Sequence, residues 1–194
     1  MEQLQGPEAA RAAEWLDLGP DEWARTVAFG PAGFPAYARL RFIPDPQHPG
    51  QREADVTLPD DHPDDLQQVS RALTHLLRWT KTPDDLLVAF WDGAAEPPST
   101  GRPLGSPSLN GHARSYHLFS GAPGDWLFRG APGDWAPGIP AFVWPADRAW
   151  CLANDVDPHW AGIGARAGAI QALLRAPDLD IVPATRTQEP PHYS

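Results

Sequence analysis

The chain has 194 residues, a formal charge of −10, 24 Pro, 17 Gly, nine Trp and a single cysteine. The acidic balance argues against a nucleic-acid or anionic-membrane surface, because both would repel it, and the lone Cys151 excludes an intrachain disulfide and a thiol-rich metal site. A mean hydropathy of −0.41 is low, but Trp side chains bury large areas, so one folded domain with long ordered loops is expected.

Lys81 is the only lysine among 15 Lys and Arg residues, a bias expected of GC-rich coding. The opening MEQLQGPEAARAAEW lacks the basic and apolar regions of a signal peptide. No apolar run approaches the roughly 20 residues of a membrane span. A cytoplasmic protein with no membrane contact is therefore expected.

Residues 7–18 and 20–28 are predicted as two short helices divided by Gly19-Pro20, with Pro20, Asp21 and Glu22 suited to a helix start. Trp23 and Val27, four apart, share a face. Residues 37–43 form the first strand, ended by Pro44-Asp45-Pro46. Tyr37, Leu40 and Phe42 do not all fall on one face, so its alternation reads as imperfect. A polar loop follows, with an edge strand at 54–58. The clearest helix starts at Pro63, carries Asp64 and Asp65 in its first turn, and runs to Trp79 on a stripe of Leu66, Val69, Leu73, Leu76 and Leu77. Residues 86–91, LLVAFW, are apolar on both faces, as a central covered strand requires. A Pro-, Gly- and Ser-rich loop spans 93–110, and a further strand spans 114–119.

A short repeat comes next: GAPGDW at 121–126 recurs at 130–135. Pro-Gly-Asp favours a tight turn in which Asp bonds the local backbone. The preferred reading is a short duplication whose Trp126 and Trp135 cover the core edge. The functional alternative presents these two Trp to a partner. Residues 120–140 are thus a second long loop. Residues 149–153 read as another central strand, 154–158 as a polar turn, and 160–164 as a strand whose Gly162 and Gly164 permit close backbone approach. A helix at 166–176 and a last strand at 179–182 complete a domain over 1–183, with 184–194 as a tail.

Several segments in this order resemble an uncharacterised family of small proteins from GC-rich, actinobacterial-type bacteria. They are Phe34-Pro-Ala-Tyr-Ala-Arg39, Thr80-Lys-Thr-Pro-Asp-Asp85 leading to Phe90-Trp91-Asp92-Gly93, Tyr116-His-Leu-Phe-Ser-Gly121, Trp144-Pro-Ala-Asp-Arg-Ala-Trp150 and the acidic turn onward to Asp178-Leu-Asp180. Two departures stand out: Phe42-Ile43-Pro44 replaces a His-Pro pair, and the GAPGDW repeat lies outside the pattern. The resemblance implies one intact domain and no activity.

The densest chemical group is Asp155-x-Asp157-x-His159. Carboxylates at a strand exit are ordinary turn residues, and the trio reads first as a turn. In extended backbone the three would point to one side and could hold a divalent metal that activates water, with Asp92 and His117 as added ligands. Ser120 lies in no nucleophile elbow. Gly162-Ile-Gly164 lacks the third glycine of a dinucleotide fingerprint, so no cofactor is expected. Asp60-Asp61, Asp64-Asp65 and Asp84-Asp85 read as helix-start and turn residues that can also face a basic partner. Cys151, in an apolar run, reads as a buried inert thiol.

The sequence thus predicts an α+β domain. Its sheet is mixed and mostly antiparallel, two main helices pack on it, and the short N-terminal helices close one end. The predicted function is a non-catalytic protein-binding module, immunity- or adaptor-like, using an acidic surface and Trp126 and Trp135. The alternative is a metal-assisted hydrolase built on Asp155, Asp157, His159 and Asp92.

Overall fold

The computed structural model describes residues 1–93, 107–125, 139–154, 159–189 and 191–194. Its helices are α1 (Gly6–Ala13), α2 (Trp23–Phe29), α3 (Asp65–Leu76) and α4 (Ala167–Leu173). Its strands are β1 (Glu2–Gln3), β2 (Ala36–Arg41), β3 (Leu86–Trp91), β4 (Leu109–Asn110), β5 (Ser115–Gly121), β6 (Phe142–Pro145), β7 (Trp150–Ala153), β8 (Trp160–Ala165) and β9 (Ile181–Ala184). They form one sheet in the order β1-β5-β3-β6-β7-β8-β2-β9, with β4 beside β5. Every described pair is antiparallel, which makes the fold α+β.

Both faces of the sheet are covered. Leu86, Val88 and Phe90 of β3 join Trp150, Leu152, Ile163 and Leu40 in a core with Val69, Leu73 and Leu76 of α3 and Ile170 and Leu173 of α4. The alternate residues Leu87, Ala89, Cys151 and Ala153 pack with Ala9, Ala13, Leu16 and Val27. The N-terminal helices therefore do not close one end of the sheet. They form its second layer, and this is why β3 and β7 are apolar on both faces.

Local chemistry explains the elements. Asp64 caps α3 by accepting the Gln67 backbone N–H at 2.8 Å, and the Gln67 side chain accepts the Asp64 N–H at 3.3 Å. This places Pro63 just outside the helix, not at its first position. β8 lies so close to α2 that a Cβ on Gly162 would sit 2.0 Å from the Ala28 carbonyl oxygen and 2.7 Å from Phe29 Cα. A Cβ on Gly164 would meet the Phe34 ring at 2.4 Å. Gly162 thus permits the close backbone approach that the sequence suggested, whereas Gly164 makes room for aromatic side chains.

Three strands escape the sequence reading: β1, β4 and the central β6. The edge strand expected at 54–58 is a 3-10 turn at Glu53–Asp55. The last strand lies two residues later than expected and contains Pro183, on an edge, where a missing N–H is tolerated. In the first GAPGDW copy, Pro123–Asp125 forms a 3-10 turn and Asp125 accepts the Ala122 N–H at 3.1 Å, as Pro-Gly-Asp chemistry predicts. Among the described residues no helix is long and apolar enough to cross a membrane.

Candidate functional site

The most heavily charged buried group lies where β2 leaves the sheet and β8 enters it. Ala38, Leu40 and Phe42 fill the core under α3 and α4. Tyr37, Arg39 and Arg41 alternate with them, so the alternation of β2 is regular after all. Arg39 is only 7% exposed. Its guanidinium lies 5.5 Å from the Trp160 ring centroid, and that ring stacks on Phe29. Arg39 forks onto Asp45 with donor distances of 2.7 and 2.9 Å. Arg41 reaches Asp45 at 3.3 Å and Asp180 at 2.6 Å.

His159 Nε2 lies 3.0 Å from the Asp45 carboxylate, and the Tyr193 ring meets the imidazole edge-on at 4.7 Å. Burial alone would raise the Asp45 pKa. The Arg39 fork, the His159 bond and the charges of Arg39 and Arg41 outweigh it and hold the carboxyl at about 2. Asp45 is therefore an anion at neutral pH, and its ion pairs fasten the loop after β2 to the sheet.

A second polar group lies at the same end of the sheet, on β3 and β5. Buried His117 pairs with Asp92 through Nε2 at 2.7 Å and meets the Gln3 amide nitrogen through Nδ1 at 3.1 Å. The Gln3 amide donates to Nδ1, which leaves the proton on Nε2 to donate to Asp92. Both ring nitrogens are occupied, so His117 offers no free base to a nucleophile. Cys151 is fully buried against Gly30, and burial pushes its thiol pKa far up, as an inert thiol requires.

The predicted site residues are dispersed. Asp155, Asp157, Trp126 and Trp135 lie outside the described residues. His159 belongs to the Asp45 group and Asp92 to the His117 group. Strands β6 and β7 stand between β3 and β8. At about 4.8 Å per strand step this separates the two groups by roughly 14 Å, so Asp92 and His159 do not share a ligand sphere. Among the described residues no three His, Cys, Asp or Glu side chains gather as a metal-binding group.

Sequence reasoning missed Arg39, Arg41 and Asp45. A signal was present: two Arg spaced i, i+2 on a strand share a face, and an Asp held between Pro44 and Pro46 is pre-set in a turn.

The exposed surface has a clear acidic stretch. Glu53, Asp55, Asp60, Asp61, Asp64 and Asp65 are all exposed. Asp55 is neutralised by Arg52 at 2.8 Å. Partial burial, reinforced by the charges of Asp64 and Glu53, raises the Asp65 pKa. Glu53 of the 3-10 turn therefore lies near enough to Asp64 and Asp65 at the start of α3 for their charges to act on one another. Elsewhere Trp91 is 37% exposed, with the Arg114 guanidinium 4.3 Å from its ring centroid. A shallow groove of about 520 Å³ runs between residues 46–50 and the C-terminal residues Glu189, Pro191, His192 and Ser194. No family model, curated protein or solved structure matches the chain.

Proposed function

We propose that this protein is a cytoplasmic, non-catalytic protein-binding module that engages a basic partner through the acidic segment 53–65. The carrying observation is the contrast between its interior and its surface. The buried His117, His159 and Arg39 are each tied to a structural partner, and Cys151 is sealed. By contrast, Glu53, Asp60, Asp61, Asp64 and Asp65 are exposed residues, Asp64 also capping α3 and the Asp65 carboxyl being partly buried. Facing like charges raise the free energy of the unbound surface, and an oppositely charged partner relieves that cost. Trp126 and Trp135 would add aromatic anchors beside this electrostatic attraction.

The test is capture from native lysate with the intact protein as bait, compared with a variant carrying Asp60→Asn, Asp61→Asn, Asp64→Asn and Asp65→Asn. A stoichiometric partner that the variant loses, and that salt weakens, supports the reading. Capture of no stoichiometric partner by either protein sinks it.

The metal-assisted hydrolase is the second reading. It retains Asp155, Asp157 and His159 as ligands, with His159 already engaged by Asp45 through Nε2. A native-state ligand must raise the melting temperature. A rise on adding Mn²⁺ or Zn²⁺, lost in Asp155→Asn, would move the assignment to that reading. The binding-module reading expects no shift.

A further inference from the structure

The loop after β2 carries Asp45 near its start and leads into Glu53 and Asp55, the first carboxylates of the acidic segment. It is gripped from two sides. On the sheet side, Arg39, Arg41 and His159 hold Asp45. On the outer side, the C-terminal residues return across it. The Tyr193 hydroxyl donates to the Pro44 carbonyl at 2.5 Å, the Tyr193 ring rests on His159, and the Ser194 N–H donates to the Gln51 carbonyl at 3.0 Å. The same segment is pinned at its beginning, where Arg186 bonds the Gly30 carbonyl at 3.2 Å, Glu22 at 2.9 Å and the Thr26 hydroxyl at 3.3 Å.

Between these anchors Thr187, Gln188 and Glu189 are exposed. A cavity of about 40 Å³ lies beside Gln188 and Pro191 and is lined by Arg39 and Phe29. The described residues Thr187, Gln188, Glu189, Pro191 and His192 are thus exposed between two fixed ends. Across the shallow groove the 46–50 stretch is held by Gln47 N–H to Gln51 Oε1 at 2.7 Å, Gln51 N–H to the His48 carbonyl at 3.3 Å and a His48 bond to the Pro49 carbonyl at 3.2 Å. Beyond it Arg52 and Asp55 cap the 3-10 turn that carries Glu53.

We propose that the C-terminal segment from Thr185 onward is a strap, with Arg186 as its hinge-side anchor and Tyr193 as its latch. The strap clamps the 44–53 loop and so preforms the Glu53 side of the acidic surface. Unlatching leaves Asp45 fastened but frees the loop beyond it, and the surface then meets a basic partner less well ordered. This consequence for binding rests on the acidic-surface reading above; the clamp itself does not.

The experiment compares the intact protein with Tyr193→Ala, Tyr193→Phe and a chain shortened after Arg186. Amide hydrogen exchange reads the clamp, and affinity for poly-L-lysine reads its consequence. Exchange across 47–53 is expected to rise about tenfold in Tyr193→Ala and in the shortened chain. Tyr193→Phe, which keeps the ring and loses the hydroxyl bond, should fall between, and β2 and β8 should not change. Poly-L-lysine should bind the unlatched variants at least about threefold more weakly. Unchanged exchange across 47–53, or equal acceleration in β2 and β8, overturns the clamp. Equal poly-L-lysine affinity in parent and variants overturns its role in binding. If the parent itself does not bind poly-L-lysine, the acidic-surface reading fails and the exchange result alone decides the strap.

Discussion

Asp45 ties three side chains into one group. It receives Arg39 and Arg41 from β2 and His159 from the entry to β8. Its folded pKa of about 2 lies below the ordinary 3.8. A depressed carboxyl contributes stability that is fully present above the unfolded value and is lost as pH falls through the folded one. That window runs from about pH 4 down to about pH 2, and solvent screening limits the contribution to roughly 1–2 kcal/mol. Asp45→Asn removes this term and leaves Arg39 without its carboxylate. It is expected to lower unfolding free energy by about 2 kcal/mol at pH 7. The gap between variant and parent should shrink as urea titrations are repeated towards pH 3. Cys151 makes a second prediction at this scale. Its thiol is expected to ignore an aromatic disulfide reagent in the folded protein and to react at once after denaturation.

At the scale of elements, close approach of backbone decides where residues are replaceable. Gly162→Ala would drive a methyl group into the Ala28 carbonyl, so α2 must lift from β8. A loss of about 1–3 kcal/mol is expected, measured by chemical denaturation. Asp64→Ala should cost about 1 kcal/mol through the lost α3 cap. The elements read correctly from sequence are those with sustained pattern: the α3 stripe, and the runs LLVAFW and WCLA whose two apolar faces report two covering layers. β6 was hidden because four residues ending in Pro145 show no period. β1 and β4 have two residues each and owe their existence to pairing with β5. The Asp45 group was half legible. Arg39 and Arg41 sharing a strand face follows from spacing, but their meeting with His159 requires the β2–β8 register, with Arg41 opposite Trp160. Tyr193 reaches the group from 148 positions beyond Asp45, a distance no local pattern encodes.

At the scale of the whole molecule, one sheet lies between two helical layers, and the charge is carried outside. With a formal charge of −10, association with a basic partner should be steered over long range and slow steeply as salt rises. Stopped-flow association rates at two ionic strengths would measure this, and a salt-independent rate would contradict it. The ends of the sheet matter as much as its faces. Arg41 N–H bonds the Asp180 carbonyl at 2.9 Å. Antiparallel pairing alternates from there, so Val182 and Ala184 turn their backbone groups towards β2 while Ile181 and Pro183 turn theirs away. Pro183 therefore stands where a strand would otherwise offer an outward N–H to a newcomer. Two copies meeting along this border would lack a rung of the ladder that fibril growth demands. Pro183→Val would restore that rung, and the altered protein is expected to gain thioflavin-positive aggregates at concentrations where the parent stays dispersed.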